Sequence, residues 1–270
     1  MVDIPGALFA WWHKLRLAAS FLTRLPVAPR SVPMANAKDG EEPATMAPGD
    51  LARSAALFPV VGAGIGVVSA LVLLMVFELR LAPLACALLA LAAGAVITGA
   101  LHEDGLADFA DGLGGGHARK RRLAIMRDSR IGTCGALAIV FSVGVRAAIL
   151  SGLSSPDVAA LALIAAAAVS RATLPAVMRW QAPARPDGMA ASIGAPPYRQ
   201  VMAAGALALI IALLTLGFWA ALAVCIAAGL AAVGVAAAAE RTLGGQTGDV
   251  LGAAQVISEL AVLVAIAAME

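Results

Sequence analysis

The chain has 270 residues, of which 61% are hydrophobic and 13% charged, where a soluble domain carries about 25% charge. That apolar excess, with a mean hydropathy of +0.90, excludes an ordinary soluble fold, because one core of this length cannot hide it from water. The net charge of +2 says little as a total, so the placement of the charges carries the information.

Residues 5–25 set Leu8, Trp11, Trp12, Leu15 and Phe21 among Lys14, Arg16 and Arg24. That pattern predicts a helix lying in the membrane interface, with its tryptophans at headgroup depth. The segment lacks a compact apolar stretch ending in a small-residue cleavage site, so no cleavable signal peptide is expected. Residues 31–50, rich in Pro, Asp, Glu and Gly, read as a loop.

Seven apolar runs then follow, at about 54–78, 82–101, 135–153, 158–178, 201–216, 218–239 and 256–269. A spanning helix needs about 17–25 residues. The fifth and seventh runs are shorter and are predicted to begin inside the preceding loops. Alanine and glycine crowd the runs, as in Ala165–Ala168 and Ala236–Ala239, which predicts closely packed helix backbones. Cys86, Cys134 and Cys225 have no paired or metal-ligand spacing and read as small apolar residues.

The connections alternate in length. Glu78 to Leu81, Ser154 to Asp157 and the region of Gly217 are short, whereas His102–Cys134, Arg179–Gln200 and Glu240–Gln255 are long and polar. Arg119, Lys120, Arg121, Arg122, Arg127, Arg130, Arg179, Arg185, Arg199 and Arg241 lie in the long loops, and only Arg80 lies on the short-loop side. By the positive-inside rule the long loops are cytosolic, together with an N-terminus that carries Lys14, Arg16, Arg24, Arg30, Lys38 and Arg53. The predicted fold is all-α: a polytopic membrane bundle of about seven transmembrane helices plus an N-terminal interfacial helix. It forms one integral membrane domain over 1–270, with 1–50 as cytosolic interfacial segment and loop and 51–270 as the bundle.

The chemistry concentrates just after the second run. His102-Glu103-Asp104 is followed by Asp108 and Asp111, so four of the 17 acids fall within nine positions. Asp104, Asp108 and Asp111 have i, i+4, i+7 spacing, which places them on one helix face with neighbouring Cβ atoms about 5–6 Å apart. Carboxylates that close either take up protons or share a cation; the alternative is a solvated acidic helix face, which a chain with so few acids makes the weaker reading. Hard ions such as Mg²⁺ choose carboxylate oxygen. His102, of a residue type that ordinarily titrates near neutrality, reads either as a proton acceptor or as a hydrogen-bonding interfacial histidine. Glu103 reaches a metal only if the helix begins at or after it.

The basic Arg119–Arg122 tetrad reads as a topology signal and lipid-headgroup contact. Arg127, Asp128, Ser129 and Arg130 return the chain toward the acidic helix, where arginines hold phosphate oxygens bidentately. Arg146, Arg171 and Glu259 lie inside apolar runs, where charges are costly and either functional or paired. Of these, Arg171 is nearest the cytosolic end and is the best placed to touch substrate. Gly244-Gly-Gln-Thr-Gly-Asp249 is a glycine-rich turn that reads either as a phosphate cradle or as a plain connector.

These segments together resemble the cobalamin-5′-phosphate synthase family, also called adenosylcobinamide-GDP ribazoletransferase. The matching residues are Leu22-Thr-Arg-Leu-Pro26, Phe58-Pro-Val-Val-Gly62, His102-Glu-Asp-Gly-Leu-Ala-Asp108 with Asp111, Met126-Arg-Asp-Ser-Arg-Ile-Gly132, Ser170-Arg171 and Gly245-Gln-Thr-Gly-Asp-Val-Leu-Gly252. The resemblance implies a multi-pass protein of the bacterial inner membrane. It implies a Mg²⁺-dependent reaction of adenosylcobinamide-GDP with α-ribazole or its 5′-phosphate, giving adenosylcobalamin or its phosphate plus GMP. On this reading Asp104, Asp108 and Asp111 hold the metal, and Arg24, Glu103, Arg127, Arg130, Arg171 and Thr247 bind substrate. His102, Asp128 or Asp249 takes the hydroxyl proton. The partners are those two substrates and the lipid bilayer, with no nucleic acid.

Two rivals belong to other classes. A CDP-alcohol phosphotransferase shares the Asp104-Gly105 opening, but its signature places Ala-Arg next and spaces its later aspartates more widely, whereas Ala107 is followed by Asp108 here. A cation or solute transporter requires a polar site near the bilayer midplane, whereas these acids sit at the end of an apolar run.

Overall fold

A computed structural model describes residues 4–27, 49–186, 188, 191 and 193–270. The loop predicted over 31–50 lies, as far as residue 48, outside the described residues, as do Arg30 and Lys38.

Helix α1 (Ile4–Leu22) is two-faced. Leu17, Ala18 and Leu22 are buried, while Phe9, Trp11 and Trp12 are exposed. Its inner face is pinned by Phe21, which stacks on Phe58 with ring centroids 5.6 Å apart. A short helix α2 (Asp50–Ser54) runs through a 3₁₀ turn at Ala55–Leu57 into α3 (Phe58–Glu78). Helices α4 (Pro83–Thr98) and α5 (Leu101–Gly114) come next, then α6 (Arg119–Ile125) and α7 (Thr133–Gly152). The chain closes with α8 (Pro156–Trp180), α9 (Tyr198–Leu216), α10 (Phe218–Leu243) and α11 (Gly248–Ala267).

Six helices are long and apolar enough to cross a membrane, and α4 with α5 forms a further pair bent by 91°. The protein is therefore an all-α, multi-pass membrane bundle. The fifth and seventh apolar runs do begin inside the preceding polar segments, at Tyr198 and Gly248.

Helix α8 forms the centre of the bundle and carries a long row of buried alanines from Ala159 to Ala168. Helix α3 packs on it through Gly62 and Gly66, one turn apart. A Cβ at Gly62 would stand 2.2 Å from the Ala167 carbonyl oxygen, and one at Gly66 would stand 2.7 Å from Ile164 Cα. Small residues replace the hydrophobic drive that lipid removes, and the helices close by backbone-to-backbone packing.

The short hairpins α3–α4, α7–α8 and α9–α10 lie at one end of the bundle. The C-terminus joins them, since Ser154 Oγ donates to a Glu270 carboxylate oxygen. The long connections meet at the other end, where Arg24 N–H donates to Ile97 O at 2.8 Å and Pro183 pairs with Gln246.

One predicted long loop is mostly helix. The polar stretch 240–255 was expected to be a connector, but α10 runs to Leu243 and α11 begins at Gly248. The Thr247 hydroxyl caps α11 by accepting from Val250 N–H at 3.3 Å, which satisfies one of the donors a helix start leaves open.

Candidate active site

The acidic segment is a helix, as its spacing predicts, but it does not continue the second span. Helix α4 stops at Thr98 because Gly99 takes φ +64° and Ala100 takes φ +55°. Two successive left-handed residues turn the chain, and the alanine is strained there by about 1–2 kcal/mol. Arg24 lies over this elbow: a Cβ at Gly99 would stand 2.4 Å from Arg24 Cγ. Helix α5 thus leaves the spanning segment sideways and runs across the end of the bundle where the long connections meet.

Its crossing with α11 brings the acids together. Gly105 and Gly252 meet so closely that a Cβ on either would lie 3.1 Å from the other's Cα. Gly105 also abuts the Asp249 backbone, with Asp249 Cα 3.1 Å from where its Cβ would be. The first turn of α11 therefore sets Asp249 beside Asp104 and Asp108. Burial, with the charges of Asp249, Asp104 and Asp111, pushes the Asp108 carboxyl up to about 7, against a smaller opposing pull from Arg185. Asp104 is exposed and Asp108 half-buried, so this crowded negative surface is open to a ligand.

The three predicted metal aspartates are not equivalent. Asp111 is buried and clipped to the start of α7: it accepts from Gly132 N–H at 2.6 Å and Gly135 N–H at 2.8 Å, one bond to each oxygen. The shared helix face dives beneath α7, so its third acid meets open backbone donors before it meets solvent. Asp111, expected as a metal ligand, anchors α5 to the start of α7 in this structure. Asp111→Asn, which has a single acceptor oxygen and would turn an NH₂ toward one of those N–H groups, is expected to lower stability by about 2–3 kcal/mol. A thermal melt in detergent reads that loss.

Among the described residues no three His, Cys, Asp or Glu side chains are grouped so as to hold a metal ion. Mg²⁺, however, commonly takes only one or two carboxylates and fills its remaining positions with water and phosphate oxygens. Asp104 and Asp108 supply that number, and the crowding on Asp108 is what a cation would relieve. The residues present fit Mg²⁺ with two protein ligands rather than three.

The opposite face of α5 turns into the bundle. His102 is buried, 3% exposed, and lines a small polar cavity with Glu103, Arg146, Arg171, Gln255 and Glu259. Glu103 Oε1 lies 3.3 Å from Arg146 Nη2, and Glu259 bridges Arg146 at 2.9 Å and Arg171 at 3.6 Å. Gln255 donates to Glu259 at 2.6 Å and to Ser170 at 3.0 Å. Two arginines and two glutamates thus balance in charge, as buried ions require. His102, Glu103 and Arg171, expected at the reaction, lie in this internal network: helical spacing points His102 and Glu103 away from Asp104 and Asp108, and Arg171 enters from α8. The deep charges are paired across α5, α7, α8 and α11, which is structural bracing rather than a transport path.

Other expected residues also sit apart. Asp128 and Arg130 pair with each other, at 3.0 and 2.7 Å. The Arg130 hydrogen bonds hold the Asp128 carboxyl down to about 2, so Asp128 is a poor proton acceptor. Thr247 caps α11 and donates to Asp249 Oδ2 at 3.1 Å, so it orients an acid. In the turn from Gly244, the Gly244 N–H bonds Glu240 O and the Gln246 N–H bonds Ala182 O, so these two donors are already used.

The site holds one residue whose role the sequence left undistinguished. Arg185 Nη2 lies 3.3 Å from Asp249 Oδ2, with its side chain 13% exposed. In the sequence it is one of ten cations in the long loops, and only its distance from Pro183, which pairs with Gln246, would have singled it out.

Comparisons with known proteins give the family. The family description "Cobalamin-5-phosphate synthase" matches residues 14–267. A curated relative from Bradyrhizobium diazoefficiens, named adenosylcobinamide-GDP ribazoletransferase, is 47% identical over 95% of this chain and 94% of its own. Relatives of the same name from Rhizobium etli strain CIAT 652 and Azorhizobium caulinodans are 45% and 44% identical, over 93% and 92% of this chain and 94% and 93% of theirs. No solved structure matches. The coverage is nearly complete, and it includes the elbow, the acidic helix and the Asp249 turn: this chain belongs to the cobalamin-5-phosphate synthase family.

Proposed function

We propose that this chain joins α-ribazole, or its 5′-phosphate, to adenosylcobinamide-GDP, releasing GMP and closing the nucleotide loop of a cobalamin. The observation that carries the reading is the convergence of Asp104, Asp108 and Asp249 at one helix crossing, beside a guanidinium and at the basic end of a membrane bundle. Phosphoryl transfer asks a protein mainly for positioning and charge neutralisation. This arrangement supplies both.

In this mechanism Asp104 and Asp108 hold Mg²⁺, which supplies charge neutralisation at the pyrophosphate when bound. Asp249 receives Thr247 and Arg185 both on Oδ2, so Oδ1 is the oxygen that takes the proton from the attacking ribazole hydroxyl. The hydroxyl oxygen bonds the phosphorus attached to cobinamide, the P–O–P bridge breaks, and GMP leaves with the bridging oxygen. Arg24 and the Gly99–Ala100 elbow fix the angle of α5. The Glu103–Arg146 pair holds its inner face. The cluster of long connections faces the cytosol of a bacterial inner membrane, in keeping with the basic residues there, and α1 lies along that surface with Trp11 and Trp12 in the headgroups.

Purified protein in nanodiscs, given adenosylcobinamide-GDP and α-ribazole, is expected to release GMP with Mg²⁺ and none with EDTA. CDP-activated lipid offered alongside is expected to remain unused. GMP release that persists in EDTA would remove the metal, and use of the CDP-lipid alone would remove the reading.

A further inference from the structure

Beside the acidic cluster lies a cavity of about 440 Å³ between α6 and residues 184–186. Among the described residues its charged lining is Arg119, Lys120, Arg127 and Arg185, with no acid. A cavity of this size is within the range of small-molecule sites, and an all-cationic wall selects an anion. Its floor is rigid. Ala184 N–H donates to Gln246 O at 2.7 Å and Gln246 N–H to Ala182 O at 2.9 Å. Arg119 ties the same strip down by donating to Ala184 O at 2.7 Å and to Leu243 O.

Arg185 stands at the boundary between this cavity and the acids. One arm meets Asp249, while its buried Nε has no hydrogen-bond partner among the described residues. A guanidinium anchored on one side and open on the other is preorganised for a phosphate, which it binds through two parallel N–H bonds. A pyrophosphate lying across this boundary would have one phosphorus over Asp104 and Asp108 and the other over Arg185.

We infer that Arg185 grips the phosphate that departs with the nucleotide, and that the basic cavity seats the nucleoside monophosphate product. The assignment rests on the transferase reading above and adds which phosphate goes where. It separates the site into an acidic half for the reacting phosphorus and a basic half for the leaving group. Product inhibition by GMP should then compete with adenosylcobinamide-GDP and not with α-ribazole.

The test uses the full chain in nanodiscs, with GMP as the probe, and reads binding by equilibrium dialysis and inhibition in the turnover assay. Arg185→Ala is expected to weaken GMP by about tenfold or more, to raise KM for adenosylcobinamide-GDP similarly, and to leave KM for α-ribazole unchanged. Arg185→Lys should fall between, since the charge remains and the fork is lost. Guanidinium ion should restore part of the Arg185→Ala loss. Lys120→Ala, an exposed change on the same cavity, provides a second reading in a fold-neutral variant and should weaken GMP about twofold to fivefold. GMP affinity unchanged in Arg185→Ala and Lys120→Ala, or equal rises in both KM values, would overturn the assignment even if turnover stands. Dialysis showing no GMP binding to the unaltered protein would also overturn it, whereas GMP binding without turnover would sink only the transferase reading.

Discussion

Replacing Asp108 by asparagine is expected to cut turnover by about 10²–10³-fold while leaving the fold intact or firmer. The side chain keeps its size and loses the charge that Mg²⁺ requires, so activity falls. The same charge is a burden on the empty fold, because burial and the neighbouring carboxylates push the Asp108 carboxyl from about 3.8 up to about 7. The folded chain therefore holds a proton between those values that the unfolded chain has lost. Linkage then makes stability fall as pH rises through that window, with the penalty complete above about 7. Without divalent ion, the thermal midpoint of the unaltered protein should decline from pH 5 to pH 8, and Asp108→Asn should flatten that slope. A variant that loses activity and stability together, with its pH slope intact, would place Asp108 in the scaffold.

Glu259→Ala should produce the largest loss of stability. It removes the carboxylate that touches both Arg146 and Arg171, each with a side chain only 4% exposed. Two guanidiniums would then share the bundle interior with Glu103 alone. Breaking a buried pair by deleting one partner costs about 3–5 kcal/mol, here against two cations at once. A fall in thermal midpoint of about 10 °C or more, or failure to recover folded protein from membranes, is the expected result. Glu259→Gln keeps the shape and one acceptor, and should sit between. An alanine variant as stable as the parent would mean that the arginines find other counter-charges and that this network does not hold α5 in place.

The bundle was legible because lipid imposes a coarse rule: apolar runs of spanning length must be helices, and their basic connections mark one side. The acidic helix was legible because i, i+4, i+7 spacing fixes a face. Which partner that face meets is tertiary information. Asp104 and Asp108 meet solvent, but Asp111 meets Gly132 and Gly135 from a segment more than twenty positions away. The elbow at Gly99 and Ala100 was hidden inside an uninterrupted apolar run, since a single glycine there reads as ordinary small-residue packing. His102 and Glu103 were drawn to the site by sequence proximity, and helical phase carries them away from it; Arg171 was drawn by its place near the cytosolic end of its run, and it pairs with Glu259 instead. Arg185 was hidden among many like charges, because only the pairing of Pro183 with Gln246 brings its segment to Asp249.

The central claim is that Asp104 and Asp108, without Asp111, hold the divalent ion. Electron paramagnetic resonance of Mn²⁺ added to the purified protein tests it most directly, comparing the parent with Asp108→Asn and Asp111→Asn. The account predicts one bound ion in the parent, loss of that ion in Asp108→Asn, and retention in whatever fraction of Asp111→Asn remains folded. Binding that survives Asp108→Asn, or that vanishes only with Asp111→Asn, would contradict it.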